Sequence, residues 1–299
     1  MIKKVLIIYY SQSGQLTEIV NTFCAPILQS GISVEKVLIT PKVPFSFPWT
    51  SSGFFDAMPE SVLGIPVELN SFTFEEKNYD LIVFAYQPWF LSPSIPANSM
   101  LKHPAIIAIM ANTPVITLIG SRNMWLNAQE KVKLLLKENK ADLVGNIALV
   151  DRHNNHLSAV SILNWMLTGK KDRYLGIFPK AGVSDEDIQH TGIFGGIVLK
   201  YLQNGNWTEL QSELISNKAV EIKSNLMFIE GRAERLFLIW ANLIWKRKNR
   251  APWVTAYKYY LLIALFIVAP IVVGINELLF KPFLGKQIRK KKKYYSELN

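Results

Sequence analysis

The stretch KKVLIIYYSQSGQLTEIV, Lys3 to Val20, decides the reading of this chain. Residues 3–10 form a β-branched, apolar run of the kind that is buried on both faces of a parallel sheet. The spacing of Ile19, Val20, Phe23, Ile27 and Leu28 predicts a helix over 14–30, closed by Gly31. Between the two lies a short polar loop. A loop that follows a strand and opens a helix presents free backbone N–H groups and the positive end of a dipole to an anion. Ser11, Ser13 and Thr17 add hydroxyls, Gln15 adds an amide, and Gly14 lets the backbone come close to a ligand. The loop has no lysine, so it is not a nucleoside triphosphate loop, and it lacks the GxGxxG spacing of dinucleotide sites. A hydroxyl-rich, uncharged loop suits a single phosphomonoester. The same residues equally serve as an ordinary capped helix start without a ligand.

Four further strands follow: ISVEKVLIT at 32–40, YDLIVFAY at 79–86, PVITLIG at 114–120 and NIALVD at 146–151. Helices are expected between them at about 93–112 and 124–139. Strands that alternate with helices predict an α/β fold with a doubly wound, five-stranded parallel sheet. The expected order is 2-1-3-4-5, with a ligand site at the carboxyl ends of the strands. Segment 41–78 is proline-rich and carries Phe45, Phe47, Trp49, Phe54 and Phe55. A connection this long is usually functional, and its aromatics suggest a lid or substrate wall. Beyond residue 157 the pattern loosens. HLSAVSILNWML at 156–167 reads as helix, GIFGGIVLKYL at 192–202 begins with an apparent glycine turn, and 206–245 reads as mostly helical.

Composition narrows the function classes. Of 299 residues, 49% are hydrophobic and only 19% are charged, yet the net charge is +10. The excess is concentrated at Lys246–Arg250 and Lys286–Lys293, on either side of an apolar segment, which favours anionic lipid over a solvated tail. No interleaved basic and aromatic groove appears in the first 230 residues, so nucleic acid is not expected as a partner. Cys24 is the only cysteine, which excludes an internal disulfide framework and a cysteine metal site. His153 and His156 lack further ligands, so no metal site is expected. The N-terminal apolar run is strand-like and too short for a signal peptide, so the first domain is expected to fold in the cytoplasm.

IIYYSQSGQLTEIV resembles the phosphate-binding loop of flavodoxin-like proteins. The resemblance implies that Ser11, Gln12, Ser13, Gly14, Gln15, Leu16 and Thr17 wrap the phosphate of FMN. YDLIVFAYQPWFLSPSIPANSMLKH, 79–103, resembles the second flavin loop, and implies that Gln87, Pro88, Trp89 and Phe90 line the ring, with Trp89 stacked on it. GSRNMWLNAQEK, 120–131, stands where the third loop touches the flavin and implies contacts from Ser121, Arg122 and Asn123. Three loops at three strand ends are more specific than any one of them. GSRNMW, VDRHNNHLS at 150–158, GKKDRY at 169–174 and the apolar C-terminal third together resemble the bacterial dialkylresorcinol condensing enzymes. That branch implies aromatisation of a ketosynthase-derived cyclohexanedione-type ring in lipid or pigment biosynthesis. It implies as partners a lipid-like substrate, a ketosynthase and an acyl carrier protein, and leaves room for a homodimer. Cys24 lies mid-helix, away from the strand ends, so no condensing nucleophile is evident.

Aromatising a cyclic dione removes two electrons and two protons, so a hydride acceptor, a base and an enolate stabiliser are required. Asp151, Arg152, His153 and His156, at the end of the fifth strand, supply these types. Arg152 offers a guanidinium fork and the histidines titrate in the useful range. A polar surface turn is the alternative reading of this segment. Arg122 is placed near the flavin edge, where it would stabilise the reduced ring. Asn123 is either a donor to ring or substrate or a helix cap.

The uncharged run Tyr259–Ile275 is shorter than the roughly 20 residues that cross a bilayer core. Basic clusters at both ends place both on the cytoplasmic side. A kinked re-entrant or in-plane anchor, bent at Pro270, meets these demands better than a span; a buried helix of a soluble core is the other option. The expected organisation is a flavodoxin-like FMN domain at 1–155, a helical extension at 156–235 and a membrane-anchoring region at 236–299. The expected location is the cytoplasmic face of the inner membrane. Two other functions share the fold: a membrane-associated NAD(P)H:quinone reductase or electron-transfer flavodoxin, and a flavin-free membrane scaffold for a ketosynthase.

Overall fold

The computed structural model describes residues 3–298, apart from the side chains of Phe280 and Pro282. Residues 1–2 and 299, at the outer ends of the expected terminal regions, lie outside it. In chain order the elements of the sheet half are β1 (Lys4–Tyr9), α1 (Gln15–Gln29), β2 (Ser33–Leu38), α2 (Ser51–Asp56), α3 (Met58–Leu63) and β3 (Leu81–Tyr86). The two-residue strands β4 (Pro88–Trp89) and β5 (Ser92–Pro93) follow. Then come α4 (Ile95–Leu101), α5 (Pro104–Met110), β6 (Pro114–Ser121), α6 (Leu126–Glu138) and β7 (Asp142–Val150). The main sheet has the order β2-β1-β3-β6-β7, and all its pairings are parallel. This is the 2-1-3-4-5 flavodoxin-like arrangement, with the antiparallel pair β4–β5 inserted after the third strand.

Alternation along β1 explains its apolar run. Val5, Ile7 and Tyr9 enter one core with α1, and Leu6, Ile8 and Tyr10 enter the other with α4, α5 and α6. Successive strand side chains point to opposite faces, so a strand covered on both sides has no polar positions to spare. β2 is the edge strand and stays partly exposed.

The helical half consists of α7 (Asn155–Thr168), α8 (Asp185–Asn204), α9 (Leu210–Ser216), α10 (Ser224–Trp245), α11 (Ala251–Ile263), α12 (Ala269–Ile275) and α13 (Gly285–Ser296). Four sequence expectations change here. The single helix at 93–112 is two, because Pro104 starts α5 and the residue before a proline avoids helical backbone. Segment 206–245 breaks between α9 and α10. The glycine turn at 192–196 is absent: Gly192, Gly195 and Gly196 lie inside α8. Gly195 is small because α8 crosses α1: a Cβ there would sit 1.9 Å from the carbonyl oxygen of Phe23, whereas Gly196 has open space around it. At Pro270 the chain stays helical. α11 and α12 form one helix, Ala251–Leu279, with a π-helical stretch at Ala264–Val268 just before the proline. The wider turn accommodates the ring and the missing N–H.

Both ends of this long helix are tied to the globular part. Arg250, one residue before it, grips Glu60 of α3 with two bonds of 2.7 and 2.9 Å. Tyr257 is buried among Phe55, Phe90, Phe237 and Trp240. Beyond the far end, Tyr294 of α13 donates to Glu130 of α6 at 2.7 Å, and Ile288 and Tyr295 pack on the core.

Candidate functional site

The parallel register brings the ends of β1, β3, β6 and β7 to one rim, and the candidate residues lie at those strand ends or in the loop, hairpin and first helical turn that follow each. In the first loop Gly14 takes φ +87°, and a Cβ there would meet nothing within 4 Å. The loop surface is therefore open at the point where the backbone is most approachable. Gly14, at the N-cap of α1, has no side chain to bond the helix's first N–H groups. The hydroxyls of Ser13 and Thr17 are unengaged among the described residues. Ser11 Oγ accepts from the Thr17 N–H at 3.3 Å and stiffens the first turn. The other three residues are taken up by the protein itself. Gln12 donates to the carbonyls of Phe45 and Ser46 at 3.0 and 2.9 Å and accepts from the Tyr10 hydroxyl. Gln15 exchanges two 3.0 Å bonds with the backbone of Val183. Leu16 is core.

In the second loop, β4 and β5 form a tiny hairpin whose turn residues Phe90 and Leu91 have φ +48° and +59°. Side chains of this size disfavour that conformation. Packing holds it, since the Phe90 ring lies 4.9 Å from Phe54 and 6.4 Å from Tyr257. Pro88 opens the hairpin. Trp89 sits in an aromatic box, edge-on to Phe45 at 5.1 Å, Trp49 at 5.2 Å and Tyr10 at 6.2 Å. Segment 45–49 thus lies over the second loop and is bonded to the first through Gln12. The amide Nε2 of Gln87 is buried without a partner, a donor that points to a missing acceptor.

In the third loop, Ser121 Oγ donates to the Met124 carbonyl at 3.4 Å. Arg122 turns toward the neighbouring loop, where its Nη1 donates to the backbone and side-chain oxygens of Asn155 at 3.0 and 3.1 Å. Burial lowers its pKa to about 10, against the pull of Asp151, and the guanidinium remains charged at neutral pH. Asn123 donates to the same Asn155 Oδ1 at 2.6 Å. Because Arg122 is donor-only, Asn155 Oδ1 is the acceptor of both bonds, which fixes the Asn123 amide. Its Oδ1 is left buried and without a partner. Asn123 does not cap α6. That place belongs to Glu230 of α10, whose Oε1 accepts from the Asn127 N–H at 2.8 Å.

At the end of β7, Asp151 is buried and accepts from Ser158 Oγ at 2.6 Å and from the His153 N–H at 2.9 Å. Its Oδ1 lies 2.7 Å from His153 Nδ1, which leaves His153 Nε2 for other work. Arg152 pairs with Asp187 at 2.9 Å and with Glu221 at 3.8 Å. His156 Nε2 is buried without a partner. Asn123, Arg152, His153 and His156 line one cavity of about 430 Å³. Its far wall is apolar and comes from Leu226 and Ile229 of α10 and from Ala269, Val273 and Gly274 of α12. Asn155, Lys223, Glu230 and the α12 wall were not foreseen. An acid inside the apolar stretch MFIEG, 227–231, was the one available signal for Glu230.

The residues present fit an FMN. Open backbone and free hydroxyls stand at Ser13–Thr17, and an orphaned donor stands at Gln87 on the neighbouring loop. No protein-family model matches the chain. No curated protein matches it either. Solved structures similar to it include a flavoprotein in complex with FMN from Lactobacillus acidophilus, 17% identical over 49% of this chain and 93% of that one, with a TM-score of 0.41. A flavodoxin from the domain Archaea is 10% identical over 67% of this chain and 99% of that one, with a TM-score of 0.37. Oxidised flavodoxin 1 from Bacillus cereus is 16% identical over 67% and 99%, with a TM-score of 0.36.

Proposed function

We propose that this protein is an FMN-dependent oxidoreductase that aromatises a cyclohexanedione-type ring bearing alkyl chains, at the cytoplasmic face of a membrane, on material delivered by a ketosynthase. One observation carries the reading. Phosphate-type and ring-type loops meet, on one sheet rim, a His–Asp pair and a cavity whose far wall is an apolar, largely exposed helix. The resemblance of GSRNMW, VDRHNNHLS and the C-terminal third to the resorcinol-forming branch supplies the reaction.

Ser13, Thr17 and the first N–H groups of α1 would hold the phosphate, Gln87 and Ser121 would meet the ring, and Asn123 would face the substrate cavity. FMN, when bound, supplies the hydride acceptor. The remaining work falls to the chain's own groups. Asp151 fixes His153 through Nδ1, so that Nε2 is presented to the cavity as a base for the acidic ring carbon. Arg122 keeps Asn155 and Asn123 in register. The aromatic segment 45–49 excludes water from the second loop. Net charge +10 and two basic clusters flanking the apolar helix support docking on anionic lipid.

The test is reconstitution of the purified full chain with FMN, followed by its visible spectrum and by turnover of a 2,5-dialkylcyclohexane-1,3-dione. Bound flavin and a resorcinol product are expected. Gly14→Asp sets a carboxylate at the phosphate position on a positive φ and should abolish flavin uptake while leaving lipid binding intact. A colourless protein that takes up no FMN overturns the reading.

A further inference from the structure

We infer that the 430 Å³ cavity between the β7 rim loop and α12 is a binding site for an uncharged amphiphile with a hydroxyl or enol head, loaded sideways from one leaflet of the bilayer. The inference rests on the membrane-docking part of the proposed function, and binding at this site does not require flavin.

The head follows from the polar wall. Asn123 is 8% exposed, and the bonds from Arg122 through Asn155 oblige its Oδ1 to be an acceptor with no donor in reach. An acceptor buried in this way demands an O–H or N–H from a ligand. His156 Nε2, on the same cavity, is the second orphan and is free to donate or accept. Arg152 is paired with Asp187 and Glu221, and His153 with Asp151, while Lys223 gives its Nζ to the Arg152 carbonyl at 3.3 Å. A carboxylate head brings no proton for Asn123 Oδ1, whereas a phenol, enol or alcohol does and leaves these contacts intact.

The tail follows from the opposite wall. Ala269, Val273 and Gly274 offer a shallow apolar surface, and a Cβ on Gly274 would meet nothing within 4 Å. The other side of the same helix shows aliphatics four residues apart: Ile263, Ile267, Ile271, Ile275 and Leu279, 47–60% exposed. That stripe is the side of an interfacial helix that enters lipid. Both ends of the helix return to the globular part, through Arg250–Glu60 and Tyr294–Glu130. The helix therefore lies along the leaflet, with the cavity directly behind it.

The experiment uses the full chain on vesicles of mixed phosphatidylglycerol and phosphatidylcholine, with three photoreactive probes of equal chain length: an alkylphenol with a chain diazirine, its methyl ether and the matching fatty acid. The phenol should label peptides containing 223–229 and 269–274 in a saturable manner. The ether, without a donor, should bind at least about tenfold more weakly. Gly274→Phe should fill the wall and remove the saturable labelling, with flotation on vesicles and FMN uptake unchanged. Equal, unsaturable labelling of the outer stripe by phenol and ether overturns the inference, and so does preference for the fatty acid. Failure to float overturns the docking reading on its own, and failure to bind FMN overturns the redox reading on its own.

Discussion

Glu230 holds a carboxyl group in a place almost without solvent. One oxygen caps α6, and the other has no partner. Burial raises its pKa from 4.5 to about 8, opposed by the N–H groups of Asn127 and Leu126. The folded protein thus keeps a proton that the unfolded chain releases above pH 4.5. Stability on this account falls as pH rises from about 4.5 toward 8 and is level beyond. Glu230→Gln keeps the capping oxygen and removes the titration. Relative to wild type, it should gain about 3 kcal/mol in urea unfolding between pH 5 and 7.5. Parallel stability curves for the two proteins would refute this. Residue-level legibility followed sequence distance. Ser13 and Gly14 act locally, and their character was plain in SQSG. Gln12 and Gln15 belong to partners 33 and 168 positions away, and nothing local marked them as engaged. Trp89 was readable as an aromatic at the ring loop, but its box of Tyr10, Phe45 and Trp49 was not.

At the level of elements, the contact between α1 and α8 turns on one missing methyl group. A Cβ on Gly195 would clash with the Phe23 carbonyl at 1.9 Å and crowd Pro26 at 2.9 Å. Gly195→Ala should cost about 2 kcal/mol or more. Gly196→Ala, with open space around it, should stabilise α8 by about 0.5–1 kcal/mol. Thermal melts of the pair check both signs, and similar effects for the two variants would mean that the helices separate freely. All five sheet strands were legible: a strand covered on both faces reads as an unbroken apolar run, and the edge strand β2 reads by its alternation. The glycines of α8 were not, because a close helix crossing and a turn use the same residue. Likewise His103-Pro104 ends a helix by a local rule that the apolar periodicity of 93–112 outweighed in the reading.

On the scale of the molecule, the long helix is about 43 Å from end to end at 1.5 Å per residue. That length is enough to cross a bilayer, yet both ends are fastened to one globular body. Under the membrane-docked reading, these long-range bonds favour the in-plane anchor over a span. Lys248→Cys and Lys290→Cys, both exposed, should each be modified by an impermeant maleimide from the same side of sealed proteoliposomes. The only native thiol, Cys24, is buried and silent. Labelling from opposite sides would establish a span.

The return of α13 to the sheet also bears on the order in which the chain folds. Its tyrosine bonds a residue 164 positions earlier, and Gln211 waits 85 positions for the Ser296 carbonyl. Pairings so distant in sequence form slowly, because the loop between the partners must close before the contact rewards it. The apolar helix lies between those partners, so its second fastening comes late, after the parallel sheet and α6 that receive α13 have formed.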